Sequence, residues 1–512
     1  MPVSPAGPGR RLLRRIPVRV RHYWRLLAGC LAFLVVLTVG FSTVRVQPYV
    51  TSDGGRAGDE VTRNLAGTRD LFDPTVAHSI ALTFRDADYE RMVDTFAKEG
   101  EKEYLEADLT IDGTTVPSVG IRLKGNSTLA GLTRDGEVIG GRPGGPGGPT
   151  DGEGPARGAP GAGGPGGTRP GVGAADPGAA GNQPGAAGGA ARPGGGGRTT
   201  LKAEEPETLP WLVRFDEFVA GRRYQGHREI AVRVGGMGGG STVLNEAVSL
   251  RVLAEAGEAA PEYAYSRFVV NDRPATARLV IEHPDSTFAD GLDGDGVLYK
   301  SLATGSFTDQ GDDPTEYQDD FSQVTGRGDQ DLQPVIDLVR WVADSSDAEF
   351  DAQLADHVDV NSFARYLAWQ NLLLNFDDMS GPGRNYYLWY DLTTKKFTVV
   401  GWDYNLTFSG SADQGPHDAG RMGGGPGGGH RLKERFLASA AFTNAYEQAY
   451  RELYRQVYPD ATALTALDDL AGVVSTIEGH HAQSLATEAE RLRTLIRERT
   501  SSLATHEVVT KA

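Results

Sequence analysis

The sequence predicts an α+β protein in two lobes, a strand-rich first lobe and a helix-rich second lobe, behind an N-terminal transmembrane helix. Three observations carry this. Leu26–Val44 is a run of 19 residues without a charge, long enough at about 1.5 Å per residue to cross a bilayer. Between Val76 and Ile281 most of the readable segments are strands, opening with the alternating Val76–Phe84, whereas beyond Leu298 the apolar residues recur mostly at helical spacing. Strands followed by helices make an α+β arrangement, which suits two lobes with a cleft between them.

In chain order, residues 1–25 hold seven arginines and no acid. The positive-inside tendency therefore predicts a single-pass protein of the cell membrane, with the N-terminus cytoplasmic and the bulk of the chain extracytoplasmic. Gly40-Phe41-Ser42 is a poor match to the small-x-small site of a cleavable signal, so the run reads as an uncleaved anchor. Cys30, the one cysteine, lies inside the span, and no intramolecular disulfide supports the exported part. Leu27-Ala28-Gly29-Cys30 matches a lipoprotein box by accident, because the apolar run follows the cysteine instead of preceding it. The net charge of −17 includes +7 from the first 25 residues, leaving about −24 on the remainder. Such a surface excludes a nucleic-acid partner and suits a divalent metal or a cationic ligand.

Residues 45–74 read as a polar stalk and 75–296 as the first lobe. Val76–Phe84 alternates as a strand, and Asp86–Phe96 follows as a helix with Tyr89, Met92, Val93 and Phe96 at helical spacing. Leu105–Ile111 and Thr115–Lys124 flank Asp112-Gly113 as a hairpin. From about 130 to 200 the chain becomes Gly, Pro and Ala with no strict Gly-x-y period, a composition that cannot bury enough apolar surface to order itself. Shorter glycine tracts recur at 235–240 and 423–429. Trp211–Phe215, Ile230–Val234, Tyr263–Val270 and Ala277–Ile281 read as strands, and Leu244–Glu255 as a helix with Leu244, Val248, Val252 and Leu253 roughly on one face. In the second lobe, 297–512, helices are predicted over Leu332–Ala343, Val360–Asn375, Ala440–Tyr458 and Leu464–Ile496.

The segment 375–405 spaces acidic groups around a predicted hairpin. Asn375-Phe376-Asp377-Asp378 is followed by aromatic and β-branched strands at Tyr386–Tyr390 and Phe397–Trp402, joined by a polar turn over Leu392–Lys395, and then by Asp403. In protein kinases a catalytic-loop aspartate and a metal-binding asparagine precede two short strands, the second of which delivers another aspartate to magnesium. Asp377 or Asp378 would be the first member of that set, Asn385 the second and Asp403 the third. Taken alone, Asp377-Asp378 reads more simply as a turn cap, and it is the order with Asn385 and Asp403 that favours function. Asp290–Gly296 and Asp309–Asp320 lack the ligand pattern of an EF-hand and read as solvated loops. Arg327-Gly328-Asp329 is a chance adhesion match, and His480-His481 sit within a long predicted helix without an i+4 metal partner. No Walker loop, dinucleotide fingerprint or nucleophile elbow is present.

Several stretches together resemble the CotH (spore-coat protein H) kinase family: Gly120-Ile121-Arg122-Leu123-Lys124-Gly125-Asn126-Ser127, Phe215-Asp216-Glu217-Phe218 with Tyr224-Gln225-Gly226, Val280-Ile281-Glu282, Leu298-Tyr299-Lys300 and the acidic hairpin. The resemblance covers roughly 75–410, apart from the insertion. It implies an atypical, protein-kinase-like fold that uses ATP and Mg²⁺ or Mn²⁺ to phosphorylate Ser or Thr of an exported protein. It further implies Asp377 as catalytic aspartate with Asp378 as the alternative, Asn385 and Asp403 as metal ligands supported by Asn405, and Arg122 and Lys124 at the phosphates. Glu246 would orient a lysine from its helix, Glu282 would lie near the adenine, and Lys300 would line the cleft. Two departures are visible: Leu209-Pro210 where the family usually has a lysine, and glycines at 235–240 where a polar segment is usual. These imply two alternatives, a catalytically silent pseudokinase-like binding protein or glycine amides that cradle phosphate. Clustered carboxylates also serve metal-dependent phosphoester hydrolysis.

Overall fold

The structure, a computed structural model, describes residues 61–125, 128–139, 201–235, 242–418 and 429–511. The basic segment, the expected anchor at 26–44, nearly all of the insertion and most of both glycine tracts lie outside the described residues. Among the described residues no helix is long and apolar enough to cross a membrane.

The described residues form fifteen strands: Arg63–Leu65 (β1), Ala77–Thr83 (β2), Leu105–Ile111 (β3), Thr114–Leu123 (β4), Thr133–Arg134 (β5), Glu137–Val138 (β6), Trp211–Arg214 (β7), Arg222–Tyr224 (β8), Glu229–Val232 (β9), Tyr263–Val270 (β10), Thr276–Glu282 (β11), Gly296–Ser301 (β12), Phe321–Gln323 (β13), Tyr386–Asp391 (β14) and Phe397–Gly401 (β15). The helices that concern the site are Asp86–Glu99 (α1), Leu244–Glu255 (α2), Ser286–Asp290 (α3), Gln333–Asp344 (α4), Asp347–His357 (α5), Val360–Leu372 (α6), Arg431–Ala438 (α7), Ala440–Val457 (α8), Thr462–Ser475 (α9) and Ala482–Ala504 (α10).

Seven strands close into a barrel in the order β10-β11-β9-β7-β4-β3-β2. Its pairs are antiparallel except the closing one, β10 with β2, which is parallel. Because side chains alternate along a strand, Ile121, Leu123, Trp211, Val213, Ile230 and Val232 share one core with the buried face of α1. The intervening residues Arg122, Lys124, Arg214, Glu229 and Arg233 fall on the opposite face of the same strands.

The α+β class stands, but two lobes with a cleft at 296/297 do not describe the packing. A second core joins Tyr263, Tyr265, Leu279 and Ile281 of the barrel to α2, to the sheet β13-β12-β14-β15 and to the later helices. Helix α2 is buried on most sides, with Asn245, Glu246 and Ser249 as covered as Leu244 and Val248. The second half is therefore not only helical, since its antiparallel sheet carries the acidic hairpin at its edge. The domain also starts earlier than predicted: β1 pairs with β8, and Leu71 and Phe72 are buried. The end of the expected stalk thus belongs to the fold.

The helix predicted over Leu464–Ile496 is two helices, α9 and α10. Gly479 in the break has φ +87°, and a Cβ there would clash with the carbonyl oxygen of Ala275. Close approach to the β10–β11 turn sets the break. His480 and His481 lie in it, with His481 at the residue before α10 instead of mid-helix.

Candidate active site

Helix α6 ends at Leu372, and the chain turns through Leu374 at φ +51° into the acidic segment. The Asn375 side-chain amide donates to Gln370 Oε1 at 2.8 Å, and its oxygen accepts from the Asp377 amide at 3.2 Å. That clamp fixes where Asp377 points. Its Oδ1 accepts from the Gly383 amide at 2.6 Å, and its Oδ2 from Asn385 Nδ2 at 3.1 Å. A Cβ on Gly383 would stand 2.7 Å from both Asn385 Nδ2 and Asp377 Oδ2, so the loop closes this tightly only on glycine. Burial pushes the Asp377 carboxyl up to about 6; the Gly383 amide opposes the shift, and the nearby charges of Asp403 and Asp378 add to it.

The hairpin β14–β15 returns the chain beside this loop. The Trp402 amide donates to the Asn385 carbonyl at 3.2 Å, which places Asp403 next to Asn385. Asp403 itself has φ +56°, a left-handed conformation that aspartate tolerates better than most residues. Arg233, one residue past β9, lies 3.0 Å from Asp403 Oδ1 and donates from Nη2 to Glu246 Oε1 at 2.6 Å. Lys124, one residue past β4, and Arg233 both stand over the Trp402 ring, 5.5 and 5.3 Å from its centroid, within cation–π range. Strand ends from the barrel and the hairpin thus meet around one indole.

The charges are tuned by burial and by each other. Burial pushes Glu246 up to about 7, against the pull of Arg233. Burial disfavours the Arg233 guanidinium, but Asp403 and Glu246 outweigh it and hold the group above its ordinary range. The expected lysine partner of Glu246 is therefore an arginine. Arg233 was readable in principle, since it continues the alternation of Glu229 and Ala231 on the face that bears Lys124.

Other candidates lie elsewhere. Asp378 is buried and paired with Lys433 of α7, and its Oδ1 accepts from the Ser380 amide at 2.8 Å. Arg122 stacks over Tyr104, 5.3 Å from its centroid. Lys300 pairs with Tyr387 across β12–β14, on the sheet face whose Tyr387 ring stands edge-on to Trp402 at 5.9 Å. Glu282, expected near the adenine, is turned toward His227, 3.4 Å away. Asn405 offers its carbonyl to Asn245 Nδ2 at 2.6 Å. Lys124, Glu246, Asp377, Asn385 and Asp403 are brought together; Asp378 and Glu282 are turned to other partners.

The assembled group presents hard oxygen donors of the kind Mg²⁺ or Mn²⁺ takes: the carboxylate of Asp403 and the amide oxygen of Asn385, whose nitrogen is committed to Asp377. Asp403 Oδ1 and Glu246 Oε2 are buried without a hydrogen bond. Arg233 meets Asp403 as an ion pair only, and these oxygens fit a further cation. The two basic side chains over Trp402 suit phosphate oxygens.

The family model described as CotH kinase protein matches residues 202–503, more than half of the chain. The match includes Arg233, Glu246, Asp377, Asn385 and Asp403; β2 to β4 and Lys124 precede it, and it runs through most of α10, past the end expected near 410. No curated protein matches the chain.

Proposed function

The chain belongs to the CotH kinase family, which implies an atypical kinase using ATP and a divalent metal, and from that premise we propose a membrane-anchored, extracytoplasmic, protein-kinase-like enzyme that phosphorylates Ser or Thr of an exported protein. The observation that carries this is the convergence of Asp377, Asn385, Asp403, Lys124 and Glu246-bound Arg233 around Trp402. Asn385 and Asp403 would hold the metal, which when bound would supply neutralisation of charge on the phosphates. Lys124 and Arg233 face the phosphate oxygens, and Glu246 keeps Arg233 extended. Asp377 accepts the proton of the acceptor hydroxyl as its oxygen forms the new bond to the γ-phosphorus and ADP leaves. Burial of Asp377 suits this role, since it raises the basicity of the carboxylate. The arginines of residues 1–25 and the apolar run after them support the anchored, exported topology.

The test is phosphate transfer by the full chain with γ-labelled ATP, Mg²⁺ or Mn²⁺ and a pool of exported proteins. Label on Ser or Thr that disappears in Asp377→Ala and Asp403→Ala supports the reading. Equal incorporation by wild type and Asp377→Ala overturns it, and phosphate released only to water favours hydrolysis instead. A second reading, a catalytically silent binding protein, is favoured by the Arg233–Asp403 ion pair, in which a guanidinium holds the carboxylate meant for metal. Metal-dependent ATP binding without any transfer distinguishes it.

A further inference from the structure

Three segments of the barrel bring a histidine and two glutamates together away from Trp402. His227 closes the turn after β8, with its amide donating to the Tyr224 carbonyl at 3.0 Å and its carbonyl accepting from the Tyr224 amide at 3.1 Å. Glu262 immediately precedes β10, and Glu282 ends β11. Each backbone is held by the sheet: the Glu282 amide donates to the Glu262 carbonyl at 2.8 Å, and the Glu262 amide to Glu282 Oε2 at 3.1 Å. That second bond occupies one oxygen of Glu282 and aims the other, Oε1, at His227 Nδ1, 3.4 Å away. Phe72 packs edge-on against the imidazole at 4.9 Å, fixing the ring.

We propose that His227, Glu262 and Glu282 form a binding site for one divalent transition-metal ion of the zinc class, separate from the Asp377–Asn385–Asp403 group. One ring nitrogen and one oxygen from each carboxylate lie within 4.8 Å of one another. Around an ion with bonds of about 2.1 Å, tetrahedral ligands stand about 3.4 Å apart, so the site closes by a shift of up to about 1.4 Å. Glu262 supplies it, because its side chain is 60% exposed while His227 and Glu282 are buried. An independent observation points the same way: His227 is 7% exposed, yet its Nδ1, 3.4 Å from Glu282 Oε1, makes no hydrogen bond, and its Nε2 lies 3.8 Å from Glu262 Oε2. A buried imidazole nitrogen left unbonded costs free energy that a metal bond would remove. Asp285 lies close enough to Glu282 and His227 to act on both electrostatically, so the surroundings favour a cation. One imidazole with two carboxylates and an exposed side for water is a zinc-type donor set, whereas magnesium prefers oxygens alone.

The consequence is a clamp on the end of β11. The next residue, His283, bonds Glu229 at 3.0 Å and packs edge-on against Trp402 at 5.5 Å. The ion would thus pin the strand that supports the indole without entering the chemistry.

The experiment uses the full chain, stripped with chelator, dialysed separately against ZnCl₂ and MgCl₂, and analysed for retained metal and melting temperature. We expect zinc but not magnesium to be retained here, with a rise in melting temperature. In the exposed-site variant Glu262→Gln, zinc affinity should fall by at least about tenfold while the metal-free melting temperature stays unchanged. His227→Gln should lose the same zinc, and Asp403→Asn should keep it, which separates this site from the catalytic group. Wild-type zinc affinity in Glu262→Gln, loss of all zinc in Asp403→Asn, or no zinc retained by the wild type would each overturn the proposal.

Discussion

Replacing Asp377 by asparagine should abolish phosphate transfer and stabilise the fold. The carboxyl is 7% exposed and is pushed from 3.8 up to about 6 by burial. A rise of about 2 pKa units means that ionised Asp377 costs the folded state about 3 kcal/mol relative to the unfolded chain. Asparagine removes that cost and still accepts the Gly383 hydrogen bond through its oxygen. It faces Asn385 Nδ2 with an amide nitrogen, a lost hydrogen bond worth about 1 kcal/mol, which leaves a net gain of about 2 kcal/mol. The sign follows from proton binding. Between 3.8 and about 6 the folded wild type binds more protons than the unfolded chain, so its stability falls as pH rises through that window. The asparagine variant lacks this slope. Its advantage should be absent below pH 3.8, grow up to about 6 and stay constant above. Urea denaturation of metal-free protein from pH 4 to 8 measures it. An advantage independent of pH, or a variant less stable at pH 7.5, would refute the assignment of a buried, costly carboxylate at this position.

Arg233→Met should destabilise by about 3–5 kcal/mol, because it strands Glu246 and Asp403 without their cation; adding Glu246→Gln should recover a large part, read from a double-mutant cycle in urea. Lys433→Met leaves Asp378 buried and unpaired, so it should cost about 3 kcal/mol of stability. Its ATP turnover per folded molecule should stay within a few fold of wild type, in contrast to Asp377→Asn. Gly383→Ala pushes a methyl group into the Asp377–Asn385 contact; turnover should fall roughly 100-fold with KM for ATP little changed, as measured by steady-state phosphate transfer.

Local chemistry made much of this fold legible. The hairpin around Asp112-Gly113, the helix from Leu244 and the acidic hairpin all rest on turn residues and periodicity within a few residues, and they form where expected. Barrel closure was not legible, because it depends on β10 lying parallel to β2, strands far apart in the chain, and no local pattern encodes that register. Strand β12 is visible in the sequence only as Leu298-Tyr299-Lys300, since Val297, Leu298 and Tyr299 are buried in succession and show no alternation. Within the site, Asp377, Asn385 and Asp403 were readable from order and spacing. For Arg233 the signal lies only in the alternation of its strand, with no motif around it. The pairing of Asp378 with Lys433 could not be read at all, because Lys433 approaches through tertiary packing of α7.

The two edges of the segment 140–200 are joined by the sheet itself. Thr133 donates to Leu201 and accepts from Ala203, both at 2.8 Å, and Ile139 donates to Leu132 at 2.8 Å. Leu123 is already paired with Trp211 just beyond. The barrel therefore meets the intervening chain at a sutured seam. Loop closure changes by only about 0.6 kcal/mol for each doubling of length, so the number of residues between the stitches is nearly invisible to the fold. Lineages can lengthen, shorten or rewrite that stretch while selection on the barrel, and on the groups gathered at Trp402, proceeds independently.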